Sequence, residues 1–393
     1  MPSQSPSDPQ YLEVAFREMP SPGVRYSSGL TIYDEALVKG RWVGRYWSAA
    51  GRIKPERDIA KDLEFSEPLI PHWLKQLPLD SFCLDIDGQS LQSHWKWTDA
   101  KRVACKDNST HALVELSHGV RPVNIRVHMK LDGTPFLVRW LEITNTSDRP
   151  AALSSVSPWS GLLWSVLNYR ELLPAGMNNA FSLGYYASEA WGWEGDFVWE
   201  PLLNGVRRIE GKKGRSGHAC PFFMVRNEGT GEYFVGHIAW SGNWKIDFRC
   251  DQDPASQDAL LFFKAGPSAP SPQRVLGPGE TISTPAVHLG LLHADLDGCV
   301  QALHDHIRHS VMPAYPKGRR QLVQYNAWGY VADDLDEQLL LREVDMAADI
   351  GCELFIVDAG WYGAERKNWY NTVGDWFPGS WLPNGLEPAR KYA

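Results

Sequence analysis

The sequence predicts a chain in two parts, a long antiparallel β region followed by a short α/β unit. In the first part, many short strand patterns alternate with turns rich in Gly, Pro and Asp, and helical patterns are few, as in β-sandwiches. In the second part, two short apolar runs flank a helical pattern. A crossover of about 25 residues between two strands of one sheet makes those strands parallel. The predicted fold class is therefore multi-domain, β and then α/β.

The β region follows a short tail. Residues 1–10 are rich in Ser and Pro and predict a flexible tail, and the β region extends over residues 11–310. Its clearest strand is Val123–Leu131, where apolar and polar side chains alternate, so one face is buried and the other is wet. Asp132-Gly133 predicts a hairpin turn. The returning strand, Phe136–Ile143, is apolar enough to be buried on both faces.

A helix and a linker end the β region. Apolar residues at i, i+3 and i+7 give Cys299–Val311 a helical pattern. Pro and Gly punctuate residues 311–320, which predicts a linker between domains. The α/β unit then occupies residues 321–393.

The α/β unit opens with a strand pattern at Leu322–Trp328 and a helical pattern at Asp333–Ile350. Asp334, with Glu337 three residues later, predicts a capping box at the start of this helix. Gly351 is placed to end the helix in the left-handed conformation.

The second apolar run of this unit ends in an acid. Leu354–Val357 predicts a buried parallel strand, and Asp358 follows it directly. Ligands of α/β folds bind at the carboxyl ends of such strands. Asp358 is therefore the first candidate for a ligand-binding residue, and the local alternative is an Asp that caps the following turn.

Composition excludes several classes of protein. The net charge of −8 over 393 residues disfavours a nucleic-acid partner. The six cysteines form no C-x-x-C pair, so we expect no metal site and a reducing, cytoplasmic location. The N-terminus has no signal-peptide pattern, and no apolar run is long enough to cross a membrane. Eighteen tryptophans favour either a sugar ligand, which stacks on aromatic rings, or a tryptophan-rich β core.

Several motifs, in this order, resemble those of glycoside hydrolase family 36, the α-galactosidases. In the α/β unit the matching residues are Asn326 and Trp328; Asp358, Gly360, Trp361 and Gly363; Gly374, Asp375 and Trp376; and Leu382–Leu386. In the β region they are Gly214–Ser216 with His218 and Pro221–Phe223, then Trp240–Trp244, then Gly277–Glu280 with Thr284–Pro285. The resemblance covers most of the chain and is stronger in its C-terminal half.

The resemblance implies a fold and a set of binding residues. It implies an N-terminal β-supersandwich followed by the truncated start of a (β/α)8, or TIM, barrel. By analogy with the family, Asp358 accepts hydrogen bonds from sugar hydroxyls, and Asp375 is a second partner. Trp328, Trp361 and Trp376 would form walls of the sugar pocket, and packing in loops or core is the alternative for each of them.

Two positions depart from the family pattern. Ala359 replaces the second acid of an Asp-Asp pair, and Gly329 replaces an acid after the first tryptophan. Losing a charged hydrogen-bond partner costs about 1.5–3 kcal/mol of binding free energy. We therefore expect the sugar to be held differently here, or to be something other than plain galactose.

The residues needed for turnover are not found in this sequence. A retaining glycosidase needs two carboxyl groups about 5–5.5 Å apart. In the family both are aspartates on later barrel strands, and the Lys-Trp-Asp type of motif before the nucleophile does not occur here. A complete barrel takes roughly 250 residues, far more than lie between Arg320 and Ala393. We therefore assign no catalytic residue, and we expect residues 360–393 to be disordered without the rest of a pocket.

Three functions remain open from the sequence. The first is an α-galactosidase-like retaining glycosidase, acting on terminal α-galactosyl residues of oligosaccharides, of which this chain is an N-terminal fragment. The second is part of a raffinose-synthase-like transglycosylase. The third is a non-catalytic module for carbohydrate binding or oligomerisation. In all three the expected partner is an oligosaccharide, no cofactor is expected, and a homo-oligomer is left open.

Overall fold

A computed structural model describes residues 12–18, 21–51, 78–105, 107–187, 192–193, 195–212, 220–253, 255 and 257–393, and only the backbone of Tyr330. The predicted tail at residues 1–10 lies outside the described residues, as does the motif Gly214–Ser216 with His218. The chain divides into two compact units, Met1–Met312 and Pro313–Ala393.

Antiparallel strands make up the first unit. In chain order they are β1 Leu12–Arg17, β2 Gly23–Ser28, β3 Thr31–Val38, β4 Arg41–Ser48, β5 Cys83–Ile86, β6 Gln89–Ser90, β7 Trp95–Val103, β8 Thr110–His118, β9 Val123–Leu131, β10 Phe136–Asn145, β11 Ala151–Ser157, β12 Trp159–Val166, β13 Phe181–Tyr186, β14 Phe197–Pro201, β15 Gly205–Gly211, β16 Phe222–Asn227, β17 Tyr233–Ile238, β18 Trp244–Gln252, β19 Ala259–Pro267, β20 Arg274–Leu276, β21 Thr281–Ser283 and β22 Val287–Leu292.

These strands form four sheets in the described part of the chain. The largest has ten strands, ordered β14-β13-β16-β17-β22-β10-β9-β8-β7, with β21 paired to β10. The other three have four strands each, ordered β1-β2-β3-β4, β20-β11-β5-β6 and β12-β19-β18-β15. Side chains from all four sheets meet in one apolar core, which includes Trp42, Leu153, Trp159 and Phe234. A mainly β first part is therefore confirmed.

The β9–β10 hairpin follows its sequence pattern closely. Val123, Ile125 and Val127 are fully or almost fully buried, and the turn at Gly133 has φ of +89°, which a glycine adopts without strain. The expectation that the returning strand is buried on both faces is wrong. Buried and half-buried positions alternate along β10, because its second face carries polar side chains such as Glu142.

A charged pair lies inside this core. Arg139 of β10 and Glu35 of β3 are both fully buried and form a salt bridge. Arg139 also donates to the Pro158 carbonyl at 2.9 Å, while the hydroxyls of Tyr26 and Tyr33 donate to Glu35 at 3.2 and 3.1 Å. Burial, followed by the negative charge of Glu35, raises the pKa of both tyrosines well above 10.0. The network thus satisfies charges that would be very costly to bury alone.

Among the described residues, the first unit contains two helices, α1 Tyr169–Leu172 and α2 Leu296–His306, and a π turn at Ile307–Val311 continues α2. The predicted helix at Cys299–Val311 is confirmed, although it begins three residues earlier. Asp295 caps α2 by accepting from the Gly298 N–H at 2.8 Å. At its other end, the imidazole of His306 is fully buried, 2.7 Å from Asp132 and 2.8 Å from His288.

The second unit contains β23 Gln324–Asn326, α3 Trp328–Val331, α4 Glu337–Asp349, β24 Leu354–Ile356 and α5 Glu387–Tyr392. Strands β23 and β24 pair in parallel, with Asn326 opposite Ile356. The strand–helix–strand arrangement predicted from the apolar runs is confirmed. Both strands are shorter than predicted, since the chain leaves β23 after Asn326 and turns into α3.

The start of the long helix differs from the prediction. The capping box at Asp334 is wrong, because the side chain of Asp336 accepts from the Leu339 N–H at 2.8 Å and α4 begins at Glu337. Residues before Asp336 are taken up by α3 and the turn that follows it. The end of α4 agrees with the prediction, since Gly351 has φ of +81°. The Gly351 N–H donates to the Ala348 carbonyl at 3.0 Å, as in a Schellman motif.

Among the described residues, no helix combines the length and the apolar character that a membrane span requires.

Candidate functional site

The candidate site lies where β23 and β24 end side by side. The parallel register brings Asn326 level with Ile356, so Asp358 emerges beside Asn326. The Asn326 amide donates to Asp358 Oδ2 at 2.8 Å, while its carbonyl oxygen accepts the Trp328 N–H at 3.0 Å. Asn326 therefore orients both neighbours. One oxygen of Asp358 is fixed by this contact, and the side chain stays exposed.

The turn after Asp358 is tightly constrained. Gly360 has φ of +79°, and a Cβ at this position would lie 2.9 Å from the Asp333 Cα, so a side chain here would require the backbone to move. The indole N–H of Trp381 donates to the Gly360 carbonyl at 2.9 Å. Ala359, which stands where the family has its second acid, is buried at 8% exposure. The turn is rigid, but it presents only one carboxylate.

Two of the predicted wall residues come together. The rings of Trp361 and Trp376 stack with centroids 6.4 Å apart and planes 26° from parallel. The edge of Tyr362 packs on Trp376 at 4.8 Å. Hydrogen bonds from Gly379 N–H to the Trp361 carbonyl at 2.9 Å and from Gly363 N–H to the Phe377 carbonyl at 3.0 Å tie the two loop segments together. The expected disorder of residues 360–393 is therefore wrong.

The third tryptophan packs elsewhere. Trp328 opens α3 and meets Trp369 edge to face, with ring centroids 5.2 Å apart. In the described residues it makes no ring contact with the pair formed by Trp361 and Trp376. Trp328 is thus linked to Asp358 by their shared contact with Asn326, and it forms a second aromatic pair with Trp369.

Asp375 lies in a turn between these aromatic residues. Its N–H donates to the Thr372 carbonyl at 3.0 Å and its carbonyl accepts from Phe377 at 2.7 Å. Its carboxylate is exposed and makes no hydrogen bond or ion pair within the part of the chain that the structure describes. Asp375 is therefore available to a ligand, although no contact joins it to Asp358.

The electrostatics of the site are those of a single carboxylate. Desolvation raises the pKa of the Tyr362 hydroxyl above 10.0, and the negative charge of Asp358 raises it further. No second carboxyl group contacts Asp358 among the described residues. Within the same residues, no group of three or more His, Cys, Asp or Glu is arranged to hold a metal ion. This arrangement can accept hydrogen bonds and stack on an apolar face, but it offers no acid–base pair.

Sequence reasoning missed three residues of this site, namely Tyr362, Trp369 and Trp381. Tyr362 lies between Trp361 and Gly363, within a matched motif, so its position next to Asp358 could have singled it out. Trp369 and Trp381 act through contacts with Trp328 and Gly360, which are far from them in the sequence. Only the fold reveals those contacts.

The chain is similar to proteins of known class. The family model described as Melibiase matches residues 281–392. α-Galactosidase AgaA of Geobacillus stearothermophilus is 29% identical over 208 residues, which are 51% of this chain and 28% of that protein. α-Galactosidase Mel36A of Lactobacillus acidophilus is 30% identical over 193 residues, 48% of this chain and 26% of its own length. The chain thus spans only about a quarter of the curated relatives it matches.

Solved structures agree on the fold. The GH36 α-galactosidase AgaB of Geobacillus stearothermophilus superimposes with a TM-score of 0.72 at 18% identity, covering 97% of this chain and 55% of that one. Variants of AgaA have been solved in complex with stachyose and with raffinose.

These likenesses define the fold first, which is that of part of the GH36 α-galactosidase structures. Over residues 281–392 the chain matches the Melibiase family model, and in sequence and fold it is similar to α-galactosidases of family GH36.

Proposed function

We propose that the chain is part of an α-galactosidase-type retaining glycosidase that acts on terminal α-galactosyl residues of oligosaccharides. In this proposal residues 11–310 form a β-supersandwich, residues 311–320 a linker, and residues 321–393 the opening of a (β/α)8 barrel. The observation that carries the proposal is the hydrogen bond between Asn326 and Asp358. It fixes an exposed carboxylate at the carboxyl ends of two parallel strands, where barrel enzymes bind their substrates.

Each site residue has a role in binding the sugar. Asp358 accepts hydrogen bonds from two sugar hydroxyls through the oxygen lone pairs that Asn326 leaves open. Charge-assisted bonds of this kind are about twice as strong as neutral ones. Trp376, which is 61% exposed, offers a flat face for the apolar side of the ring, and Trp361 supports it from behind. Trp328, which is held near Asp358 through Asn326, and the exposed carboxylate of Asp375 provide further contacts to the sugar in this proposal.

The bond-breaking groups lie outside these 393 residues in this proposal. Retaining hydrolysis needs a nucleophile and an acid–base residue about 5–5.5 Å apart. Asp358 has Asn326, rather than a second carboxylate, as its hydrogen-bond partner. Asp358 therefore binds substrate, and later strands of the barrel supply both catalytic carboxylates.

Ala359 sets this site apart within its family. A buried methyl group occupies the position of an acid, so one hydroxyl of a bound galactose loses a charged partner. This loss corresponds to about 1.5–3 kcal/mol of binding free energy. We propose that contacts to the rest of an oligosaccharide compensate, and that single galactose binds weakly.

The same observation supports the alternative functions. A weakened monosaccharide site suits a raffinose-synthase-like transglycosylase, whose acceptor is a second sugar. It also suits a non-catalytic module that binds carbohydrate or holds an oligomer together. Turnover separates these classes, because only the two enzymes release or transfer galactose, and only the transglycosylase prefers a sugar acceptor to water.

The test uses the product of the complete reading frame that contains this chain. It should hydrolyse an aryl α-galactoside, and Asp358→Asn should raise KM or lower kcat/KM at least ten-fold. Glu387→Gln, which changes an exposed acid on α5, is the matched control and should leave both unchanged. Absence of hydrolysis, together with saturable oligosaccharide binding, would favour the non-catalytic module instead.

The proposed location is the cytoplasm. All six cysteines are free thiols in the structure, which suits a reducing compartment. Cell fractionation with an antibody against the protein would check this assignment.

A further inference from the structure

A cleft in the first unit combines a fixed indole with polar side chains. Its volume is about 520 Å³, within the range of small-ligand sites. Leu153, Val156 and Ile282 contribute an apolar floor, and Trp240, Arg274 and Glu280 lie at the surface of the cleft. All of its lining residues belong to the first unit. None of them belongs to the second unit, which contains Asp358 and its aromatic neighbours.

The indole of Trp240 is held in one orientation. Its ring N–H donates to the Asn243 carbonyl at 3.1 Å, and the same carbonyl accepts the Ser268 N–H at 2.8 Å. The ring lies directly against Gly242, where an added Cβ would come within 2.6 Å of the indole nitrogen. Trp240 nevertheless remains 44% exposed. An exposed aromatic face that is already immobilised loses little entropy when a ligand stacks on it.

The polar groups are also fixed in place. Glu280 Oε2 accepts the Gly277 N–H at 2.8 Å, and Glu280 Oε1 accepts from Arg274 at 2.9 Å. Both contacts favour the charged carboxylate and lower the pKa of Glu280, the backbone hydrogen bond first. Gln273 is anchored through its backbone N–H to the Leu153 carbonyl at 2.8 Å. The cleft therefore presents a hydrogen-bonded pair of planar groups, the guanidinium of Arg274 and the carboxylate of Glu280.

Charge indicates the type of ligand. Arg274 and Glu280 carry opposite charges and neutralise each other, so the cleft has no net charge with which to attract an ion. A neutral ligand with one apolar face and several hydroxyl groups fits a fixed indole beside a guanidinium–carboxylate pair. Sugars have this chemistry, since their C–H faces stack on aromatic rings while vicinal hydroxyls bond to planar polar groups.

We propose that this cleft is a second carbohydrate site, which binds a glycosyl unit of a neutral oligosaccharide on Trp240 and between Arg274 and Glu280. The site stands independently of the proposed function, because none of its residues is shared with the site around Asp358. In an enzyme it would keep a polymeric or branched substrate near the protein. In a non-catalytic module it would be a principal binding site.

The experiment follows the indole N–H signal of Trp240 in the 393-residue chain labelled with ¹⁵N-tryptophan. Loss of one signal in Trp240→Phe assigns it. Raffinose is the probe, titrated into the millimolar range. In the native chain we expect a saturable shift of this signal. In Glu280→Gln and Arg274→Gln the affinity should be at least about ten-fold lower. In Trp240→Ala, monitored by the remaining indole signals, we expect no saturable raffinose binding through this cleft.

Two controls separate this site from the rest of the molecule. Arg208→Gln breaks another exposed ion pair of the same unit, with Asp247, and should leave the affinity unchanged. Asp358→Asn should also leave it unchanged, so failure of the proposed enzyme function does not affect this test. The proposal is overturned if raffinose gives no saturable shift, or if the charge variants bind as tightly as the native chain.

Discussion

The two units of the chain use the same residue types in opposite ways. In the first unit, Trp42 and Trp159 are almost fully buried, and the charged pair Glu35–Arg139 lies in the core. In the second unit, Trp376 is 61% exposed, and the carboxylates of Asp358 and Asp375 are open to solvent. Trp42, Trp159 and the Glu35–Arg139 pair therefore belong to the core of the first unit, whereas Trp376, Asp358 and Asp375 of the second unit remain accessible to a ligand.

This difference decides how the tryptophan content should be interpreted. The β-core explanation holds for the buried tryptophans of the first unit, and the proposed sugar site would use exposed tryptophans of the second. A residue count cannot distinguish them, because burial depends on the neighbours that the fold supplies. In the described part of the first unit, side chains from four sheets form one core around large rings. The second has one parallel strand pair, which can enclose few of its aromatic side chains.

The largest expected effect concerns the buried pair. Arg139→Met should lower the free energy of unfolding of the first unit by about 3–5 kcal/mol, because it leaves Glu35 charged and buried without its partner. Urea denaturation followed by tryptophan fluorescence would measure this change.

The matched control is Arg208→Met, which removes an exposed ion pair with Asp247. It should cost about 1 kcal/mol or less. Equal losses for the two variants would show that the core network contributes no more than a surface pair.

The second effect concerns pH and distinguishes the units directly. Burial lowers the pKa of His237 to about 4 and that of His288 well below 6.5. As the pH falls below 6.5, the unfolded state therefore takes up protons that the folded state does not. The contribution of these two neutral histidines to the free energy of unfolding is therefore fully present above pH 6.5 and is lost as the pH falls towards 4.

We expect the free energy of unfolding of the first unit to fall in this range by at least about 1.4 kcal/mol, the value of one pKa unit. All twelve histidines precede Pro313, so the second unit should change much less between pH 7 and 5. Hydrogen exchange read separately for α2 and α4 would compare the units. A parallel loss of protection in both helices would contradict this assignment.

Below this range Asp132 adds to the effect. Burial alone would raise its pKa, but the hydrogen bond and the charge of His306 lower it to about 2. Stability contributed by this carboxylate is present above its ordinary pKa of 3.8 and is lost as the pH falls towards 2.

The smallest effect concerns the cap of α4. Asp336→Ala should destabilise this helix by about 1 kcal/mol, because the Leu339 N–H loses its acceptor. Asp334→Ala is the control, since Asp334 makes an exposed pair with Lys367 and does not cap the helix. Amide exchange over α4 would measure the destabilisation in both variants. A larger destabilisation in Asp334→Ala would show that Asp334 caps the helix, as the sequence pattern predicts.

Local signals account for the parts of the fold that the sequence predicts. The Asp132-Gly133 turn and the end of α4 at Gly351 depend on neighbouring residues, so both could be predicted. The burial of Arg139 could not, because its partner Glu35 is 104 residues away in the chain. The cap at Asp336 was missed because it depends on α3, a turn of helix that no periodic pattern indicates.

The candidate site is predictable to the same extent. Asp358 follows from its place after an apolar strand, and its contact with Asn326 follows from the parallel register. The pairing of Trp361 with Trp376, and that of Trp328 with Trp369, depends on how the loop folds back. The sequence motifs named the first three of these tryptophans, but only the structure separates them into two pairs.

The most direct test of the account uses the purified 393-residue chain, since the central claim is that it binds a galactosyl group through Asp358 without cleaving it. Melibiose binding would be measured by isothermal titration calorimetry, and aryl α-galactoside hydrolysis in parallel, for the native chain and for Asp358→Asn. We predict saturable binding that weakens at least about ten-fold in the variant, and no turnover by either protein. Clear turnover that Asp358→Asn abolishes would contradict the account, because it would make Asp358 a catalytic residue.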